Sequence, residues 1–345
     1  MSRKHLSLSE KKLLAFLDKR SRSLSPLLIL THDFPDPDAL ASAYALHYLA
    51  DFAFGIKSRI VYRGVIGRVE NRNMVHFLKL PVHRLTQSEI KKYTNVALVD
   101  TQPDFDNNPF PSDRKATLII DQHLPNSRPL ADCAIIDTDC GATSVILTRA
   151  VLSLRGAVPE KLATALAYGI LTDTLGLYRV RRKDTISAYL DILPFANMHI
   201  LARIQTPVHA RNYFTTLGRA IHGAKIRSGL IICHLGRVDN PDAVSQIAEF
   251  LLCYKNADWT LTTGRFRNKL HASLRTKKKD YSVGSILRAS FENPEDAGGH
   301  DQIAGGSLKV NTRDDSTWAR EEQNLQRNIA KLLKLKKGTK FTSAF

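Results

Sequence analysis

The sequence predicts an α/β fold: an N-terminal doubly wound, mostly parallel sheet domain followed by a smaller α+β C-terminal domain. Three observations carry that prediction. From Pro26 onward, short apolar runs alternate with helical patterns, as strands joined by crossover helices do. A length of 345 residues exceeds the usual size of one domain and leaves room for two cores. Beyond about residue 194 the alternation loosens, and a different pattern of neighbouring strand-like runs takes over.

The elements follow in order. Glu10, Lys11, Lys12, Asp18, Lys19 and Arg20 interrupt the apolar positions of the first 25 residues, so a short amphipathic helix is expected there and a secretion leader is not. Strand-like PLLILTH, SRIVYRG, NVALVD, ATLIID and CAIID then alternate with helical patterns at 38–54, GATSVILTRAVLSL and EKLATALAYGIL. Pro194, Pro207 and the mixed polarity between them mark a linker. Past it come LIICHLG, a helical DAVSQIAEFLLCYK, and the strand pair WTLTTGRF and KLHASLRT with its turn at Arg267 and Asn268. A helix VGSILRASF leads to the glycine-rich AGGHDQIAGGSLK, and the chain closes on a charged helix ending in KLLKLKKGTK. The expected division is 1–24 helical extension, 25–193 first domain, 194–211 linker, 212–318 second domain and 319–345 C-terminal helix with a basic tail.

Composition narrows the class. With 43% hydrophobic and 24% charged residues, the chain has the balance of an ordinary soluble protein, which excludes fibrous and disordered classes. No run reaches the roughly 18 apolar residues of a membrane span, so no membrane partner is expected. Cys133, Cys140, Cys233 and Cys253 are widely spaced without a CxxC pair, which fits partly buried thiols in a reducing cytoplasm. A formal net charge of +17 attracts polyanions and makes nucleic acid or nucleotides the expected partners.

The chemistry concentrates where strands end. THDFPDPDALASA, at 31–43, sets His32, Asp36 and Asp38 at a strand end just before a helix. Alternating carboxylates in a proline-flanked turn can face two neighbouring cations, and an imidazole nitrogen favours transition metals over calcium. NVALVD closes with Asp100, and ATLIIDQH closes with Asp121, Gln122 and His123. Polar residues at the carboxyl ends of parallel strands converge on one crevice. Asp173, in ILTDT, follows an apolar helical pattern and can return to the same rim. In the C-terminal half, Arg265, Arg267, Lys269, Arg275, Lys277, Lys278, Lys279 and Arg288 face a single acidic residue, Asp280, a local polyanion surface. Tyr281 and Phe291 are candidates for stacking on a base, with core packing favoured for Phe291.

Taken together, these segments resemble the DHH phosphoesterase family. His32, Asp36 and Asp38 match its HxxxDxD, Asp100 its lone Asp, Asp121-Gln122-His123 its DHH, and residues 172–174 its TDT; GGHDQIAGG at 298–306 looks like the glycine-rich signature of the DHH-associated C-terminal domain. The resemblance spans roughly residues 26–310 and is nearest to the nanoRNase and phosphoadenosine-phosphate phosphatase type. The longer RecJ exonucleases carry extra domains, and the glycine-rich segment counts against family II inorganic pyrophosphatases.

The resemblance implies a site in the cleft between the two domains. It implies one metal on His32, Asp36 and Asp100 and another on Asp38, Asp100 and Asp173, with Asp100 bridging and His123 facing the scissile phosphate. Manganese is the implied metal, ahead of magnesium and cobalt. Arg275, Gly298, Gly299 and His300 are implied to grip substrate phosphate. One position departs: Gln122 stands where the family has a metal-binding histidine, and a neutral amide oxygen is a weaker donor to a transition metal than imidazole. The implied activity is hydrolysis of short oligoribonucleotides or linear dinucleotides to mononucleotides. The alternatives are a 3′-phosphoadenosine 5′-phosphate phosphatase and a nucleotide- or RNA-binding protein weakened in catalysis by Gln122. A homodimer is left open.

Overall fold

The computed structural model describes residues 7–86, 88–154, 158–180, 182–299, 302–312, 314–335 and 340–345. The chain divides into two compact units, Met1–Pro207 and Val208–Phe345.

In the first unit, helix α1 (Leu8–Leu24) precedes β1 (Leu27–Thr31), α2 (Pro37–Tyr48), β2 (Ser58–Tyr62), α3 (Val69–Leu78), β3 (Val82–Arg84), the single turn α4 (Glu89–Lys92), β4 (Asn95–Val99), β5 (Ala116–Asp121) and β6 (Ala131–Ile136). Helices α5 (Thr143–Ser153), α6 (Glu160–Asp173), α7 (Lys183–Ile192) and α8 (Met198–Gln205) complete it. The six strands form one parallel sheet in the order β3-β2-β1-β4-β5-β6. Strand side chains alternate between faces, which explains why β1 reads as an unbroken apolar run: Leu27 and Ile29 enter one core while Leu28 and Leu30 enter another. The first core takes Leu40 and Leu46 of α2, Val145 of α5 and Leu166 of α6. The opposite face is covered by Ile90 of α4 and Phe110 of the β4–β5 loop. The order reverses between β1 and β4, which places a crevice beyond their carboxyl ends.

Two expectations change here. The 1–24 segment is no extension where it is described: Ser7 and Glu10 form a capping box for α1, and Leu13, Leu17 and Leu24 are buried in the first core. The 194–211 segment is not a bare linker, because α8 lies inside it and buries Leu201 and Ile204 in the same core. Pro194 lies in the short 3₁₀ turn Leu193–Phe195 and Pro207 follows the end of α8; the prolines punctuate helices there.

The second unit runs through α9 (Arg211–Gly223), β7 (Lys225–Arg227), β8 (Leu230–Arg237), α10 (Asp242–Leu252), β9 (Trp259–Phe266), β10 (Lys269–Thr276), α11 (Val283–Ser290), β11 (Ala297–Gly299), β12 (Ile303–Lys309), α12 (Asp315–Leu332) and β13 (Thr342–Ser343). Its seven strands order as β11-β12-β10-β9-β8-β7-β13, all antiparallel neighbours except β8 and β9. One face packs on α11 and α12 through Leu287, Leu325 and Ile329; the other packs on α9 and α10 through Ala220, Ile247 and Leu251. Helix α12 thus begins before residue 319 and belongs to this core, while residues 336–339 of the basic tail lie outside the described residues. Three cysteines are buried and Cys253 is exposed, so only three fit the buried reading.

Candidate metal centre

Each residue of the first unit's site is placed by the end of an element. His32 follows β1, and its Nδ1 lies 2.8 Å from the Asp33 carbonyl oxygen, which turns Nε2 toward Asp36 (3.8 Å) and Asp100 (3.6 Å). Asp36 is the N-cap of α2 and accepts the Ala39 amide at 3.0 Å. Asp100 follows β4 with φ 59°, a left-handed backbone that most non-glycine residues avoid and aspartate tolerates better than most. Its amide donates to the Ile120 carbonyl of β5 at 2.9 Å, and its Oδ1 accepts the Thr143 hydroxyl at 2.7 Å. Asp121 ends β5, wholly buried; its Oδ1 accepts the Gln122 amide (2.7 Å) and lies 2.8 Å from Nδ1 of His123, while its Oδ2 accepts Nε2 of Gln102 at 2.7 Å.

Two groups of potential ligand atoms result, each lying within 4.8 Å of one another: His32, Asp36 and Asp100, and Asp100, Asp121 and His123. Asp100 is common to both. The other two carboxylates expected at the rim are engaged differently. Asp38 is buried in the first turn of α2 and takes the Thr143 amide on Oδ2 (2.8 Å) and the Ser144 amide on Oδ1 (2.9 Å), so it binds the open N-terminus of α5. Asp173, the last residue of α6, accepts a hydrogen bond from the Gln122 side-chain amide. Gln122 therefore reaches the expected second site, but as a donor to a carboxylate.

The electrostatics are those of crowded carboxylates, with Asp38, Asp100 and Asp121 buried and Asp36 and His123 partly open to solvent. Burial, with the charges of Asp100, Asp173 and Asp36, pushes the Asp38 carboxyl well up, and the Ser144 bond opposes this. Burial raises Asp100 to about 6 against the pull of His123 and His32. Burial and the Asp36 and Asp100 charges raise Asp173 to about 7. Burial drives both imidazoles down, yet Asp36 and Asp100 lift His32 to about 9, and Asp121 and Asp100 lift His123 to about 10. Asp36 is lowered: burial pushes it up, but His32 and the Ala39 amide hold it at about 2. A divalent cation relieves such repulsion and displaces the protons that the pocket otherwise retains.

Sequence reasoning missed Thr143, Ser144 and Gln102. The signal for the first two was the Thr-Ser pair opening a helix after Gly141 and Ala142, an N-terminal pattern whose free amides need an acceptor. Gln102, which bridges Asp121 and the His123 carbonyl oxygen, had no motif around it.

In the second unit, Arg275 near the end of β10 is buried, with a terminal nitrogen 3.6 Å from Glu249. Gly298 and Gly299 lie on β11 and pair with Gly305 and Ala304 of β12, so the glycine-rich segment expected as an anion-cradling loop is largely a two-stranded ribbon. Its glycines answer close packing: a Cβ on Gly299 would come 2.3 Å from the Ile303 carbonyl oxygen, and one on Gly306 2.8 Å from the Phe291 ring. Phe291 is buried in the core, whereas Tyr281 is exposed and edge-on to Trp259. His300 lies outside the described residues. The basic run is partly spent internally: Arg265 binds Glu322 and Asp315, and Lys278 binds Asp258.

Residues 26–170 match the family model described as DHH family, N-terminal domain. An uncharacterized protein of Methanocaldococcus jannaschii is 32% identical over 287 residues, covering 83% of this chain and 58% of that protein. A probable manganese-dependent inorganic pyrophosphatase of Streptococcus equi subsp. zooepidemicus is 28% identical over 159 residues, 44% of this chain and 49% of that protein. The chain thus spans about half to three fifths of the length of the curated relatives it matches. Among solved structures, an exopolyphosphatase-related protein from Bacteroides fragilis superposes with a TM-score of 0.72 at 16% identity, covering 96% of this chain and 99% of that chain; the likeness is one of fold. Among the described residues no helix is long and apolar enough to cross a membrane.

Proposed function

This chain belongs to the DHH family through its N-terminal domain, and from that premise we propose that it is a metal-dependent phosphodiesterase cleaving short oligoribonucleotides or linear dinucleotides to mononucleotides. The observation that carries the reading is the gathering of His32, Asp36, Asp100, Asp121 and His123 beyond three adjacent parallel strands. The net charge of +17 favours a polyanionic substrate.

A first cation fits His32, Asp36 and Asp100, whose donor atoms already lie together. A second, on Asp100, Asp38 and Asp173, fits less well, because the α5 amides occupy Asp38 and the Gln122 amide occupies Asp173. Manganese suits an imidazole-carboxylate set, ahead of magnesium or cobalt, and the streptococcal relative is manganese-dependent by its name. Bound divalent ions would neutralise phosphoryl oxygens and acidify a water for in-line attack.

The chain's own groups supply the rest. Gln102 locks Asp121, and Asp121 fixes the His123 ring through Nδ1, which orients the imidazole for donation to a phosphate oxygen. Thr143 orients Asp100, the carboxylate common to both metal positions. In the second unit we assign Arg275 to substrate phosphate; a guanidinium fork matches its oxygens.

Incubation with manganese and 5′-labelled dinucleotides tests the proposal: mononucleotide release is expected, and no turnover with any divalent metal would sink it. Release of inorganic phosphate from 3′-phosphoadenosine 5′-phosphate would instead support the phosphomonoesterase alternative. A second reading, nucleotide binding without turnover, is favoured by the Gln122 bond to Asp173, and it predicts nucleotide binding that survives chelation.

A further inference from the structure

We infer that Phe34 is a stacking platform for a nucleobase flanking the scissile phosphate, an inference that rests on the nucleotide-hydrolase reading above. Phe34 sits in the turn between His32 and Asp36, yet its side chain contributes to no core and is 53% exposed. Its backbone has φ 55°, a left-handed conformation that costs a bulky residue roughly 1–2 kcal/mol. Exposure of a phenyl ring and a strained backbone both oppose folding, so stability does not account for them.

The surroundings hold the ring in that place. The Phe34 amide donates to the Arg63 carbonyl at 3.0 Å, and the Asp33 amide donates to the Asn107 carbonyl at 2.6 Å. The Arg63 guanidinium clamps the Asp33 carboxylate through two nitrogens, Nε at 2.7 Å. Beneath the ring lies Gly64, with φ +88°, where a Cβ would come 2.8 Å from a ring carbon. The turn after β1, the residues after β2 and the β4–β5 loop thus fix the backbone that carries one exposed aromatic ring, in the turn joining two metal-ligand candidates. A flat apolar ring offers a base a stacking surface without reading its sequence, and offers nothing to pyrophosphate or polyphosphate. The ring therefore selects substrates carrying a base next to the cleaved bond.

The test compares wild type, Phe34→Leu and Phe34→Trp with manganese on two substrates: a dinucleotide, and the same sugar-phosphate diester lacking both bases. Phe34→Leu is expected to raise KM for the dinucleotide by roughly 10- to 100-fold, well beyond its effect on the base-free diester, and Phe34→Trp is expected to restore it. Equal losses on both substrates, or a dinucleotide KM within about twofold of wild type, overturn the inference. Wild type that cleaves neither substrate sinks the hydrolase reading alone. Equilibrium binding of adenosine monophosphate then decides the role of the ring: weakening by about tenfold in Phe34→Leu upholds stacking, and unchanged affinity overturns it.

Discussion

Replacing Thr143 with valine isolates one hydrogen bond of the proposed metal centre. The Thr143 hydroxyl donates to Asp100 Oδ1 at 2.7 Å, with both residues buried. Valine keeps the branched shape and opens no cavity, so the loss is confined to a donor facing a carboxylate. A hydrogen bond to a charged group contributes about 1.5–3 kcal/mol, and at about 1.4 kcal/mol per decade that corresponds to roughly 10- to 100-fold in manganese affinity, the range seen when a partner of a metal ligand is removed. Without its donor the Asp100 carboxyl, already raised to about 6, holds its proton more tightly. The affinity loss should therefore deepen as pH falls toward 6. Titration of chelator-treated protein followed by electron paramagnetic resonance of free manganese gives the constants, and Thr143→Ser should bind like wild type. Affinity in Thr143→Val within about twofold of wild type at every pH, or an equal loss in Thr143→Ser, refutes the reasoning.

Other outcomes follow from the same geometry. Gln122→His, which removes the amide bond to Asp173 and adds an imidazole donor, should tighten the weaker of two manganese sites by about tenfold or more in the same titration while preserving or raising turnover; loss of turnover would contradict the assigned role of position 122. His271, lowered to about 4 by burial with Lys269 nearby, binds its proton in the unfolded chain near pH 6.5 but in the folded chain only near 4. It therefore contributes stability above pH 6.5 that is lost as pH falls toward 4, and His271→Gln should flatten that limb of the melting temperature against pH. Gly284→Ala would set a Cβ 2.4 Å from the Gly299 carbonyl oxygen; denaturant melts should show about 1–3 kcal/mol of destabilisation.

What the sequence disclosed follows from periodicity and length. Strands β1, β4 and β5 are buried on both faces and end in polar residues, so their apolar runs and closing His32, Asp100 and Asp121 are visible without structure. Segments 63–94 and 196–210 are harder. Three-residue β3 and four-residue α4 are shorter than any period can reveal, and the apolar stripe of α8 is masked by Pro194 and Pro207 on its flanks. At the candidate metal centre, residue types pointed to ligands but not to the partners they already bond. That Asp38 serves the amides of residues 143 and 144, more than a hundred positions away, is a tertiary fact with no local trace. Likewise Gln122 reads as a weakened ligand until its amide is seen donating to Asp173.

The left-handed backbone at Asp100 has an implication for engineering. A glycine adopts φ 59° with less strain than aspartate, and neither glycine nor asparagine adds another ionisable carboxyl to a pocket already holding Asp36, Asp38, Asp121 and Asp173. A directed-evolution campaign rewarding heat resistance alone should drift toward those replacements at position 100 and dismantle the proposed centre as it succeeds. Screening for thermal tolerance in this scaffold therefore has to be coupled to a metal-binding readout, or the sturdiest clones should be those least able to hold a cation.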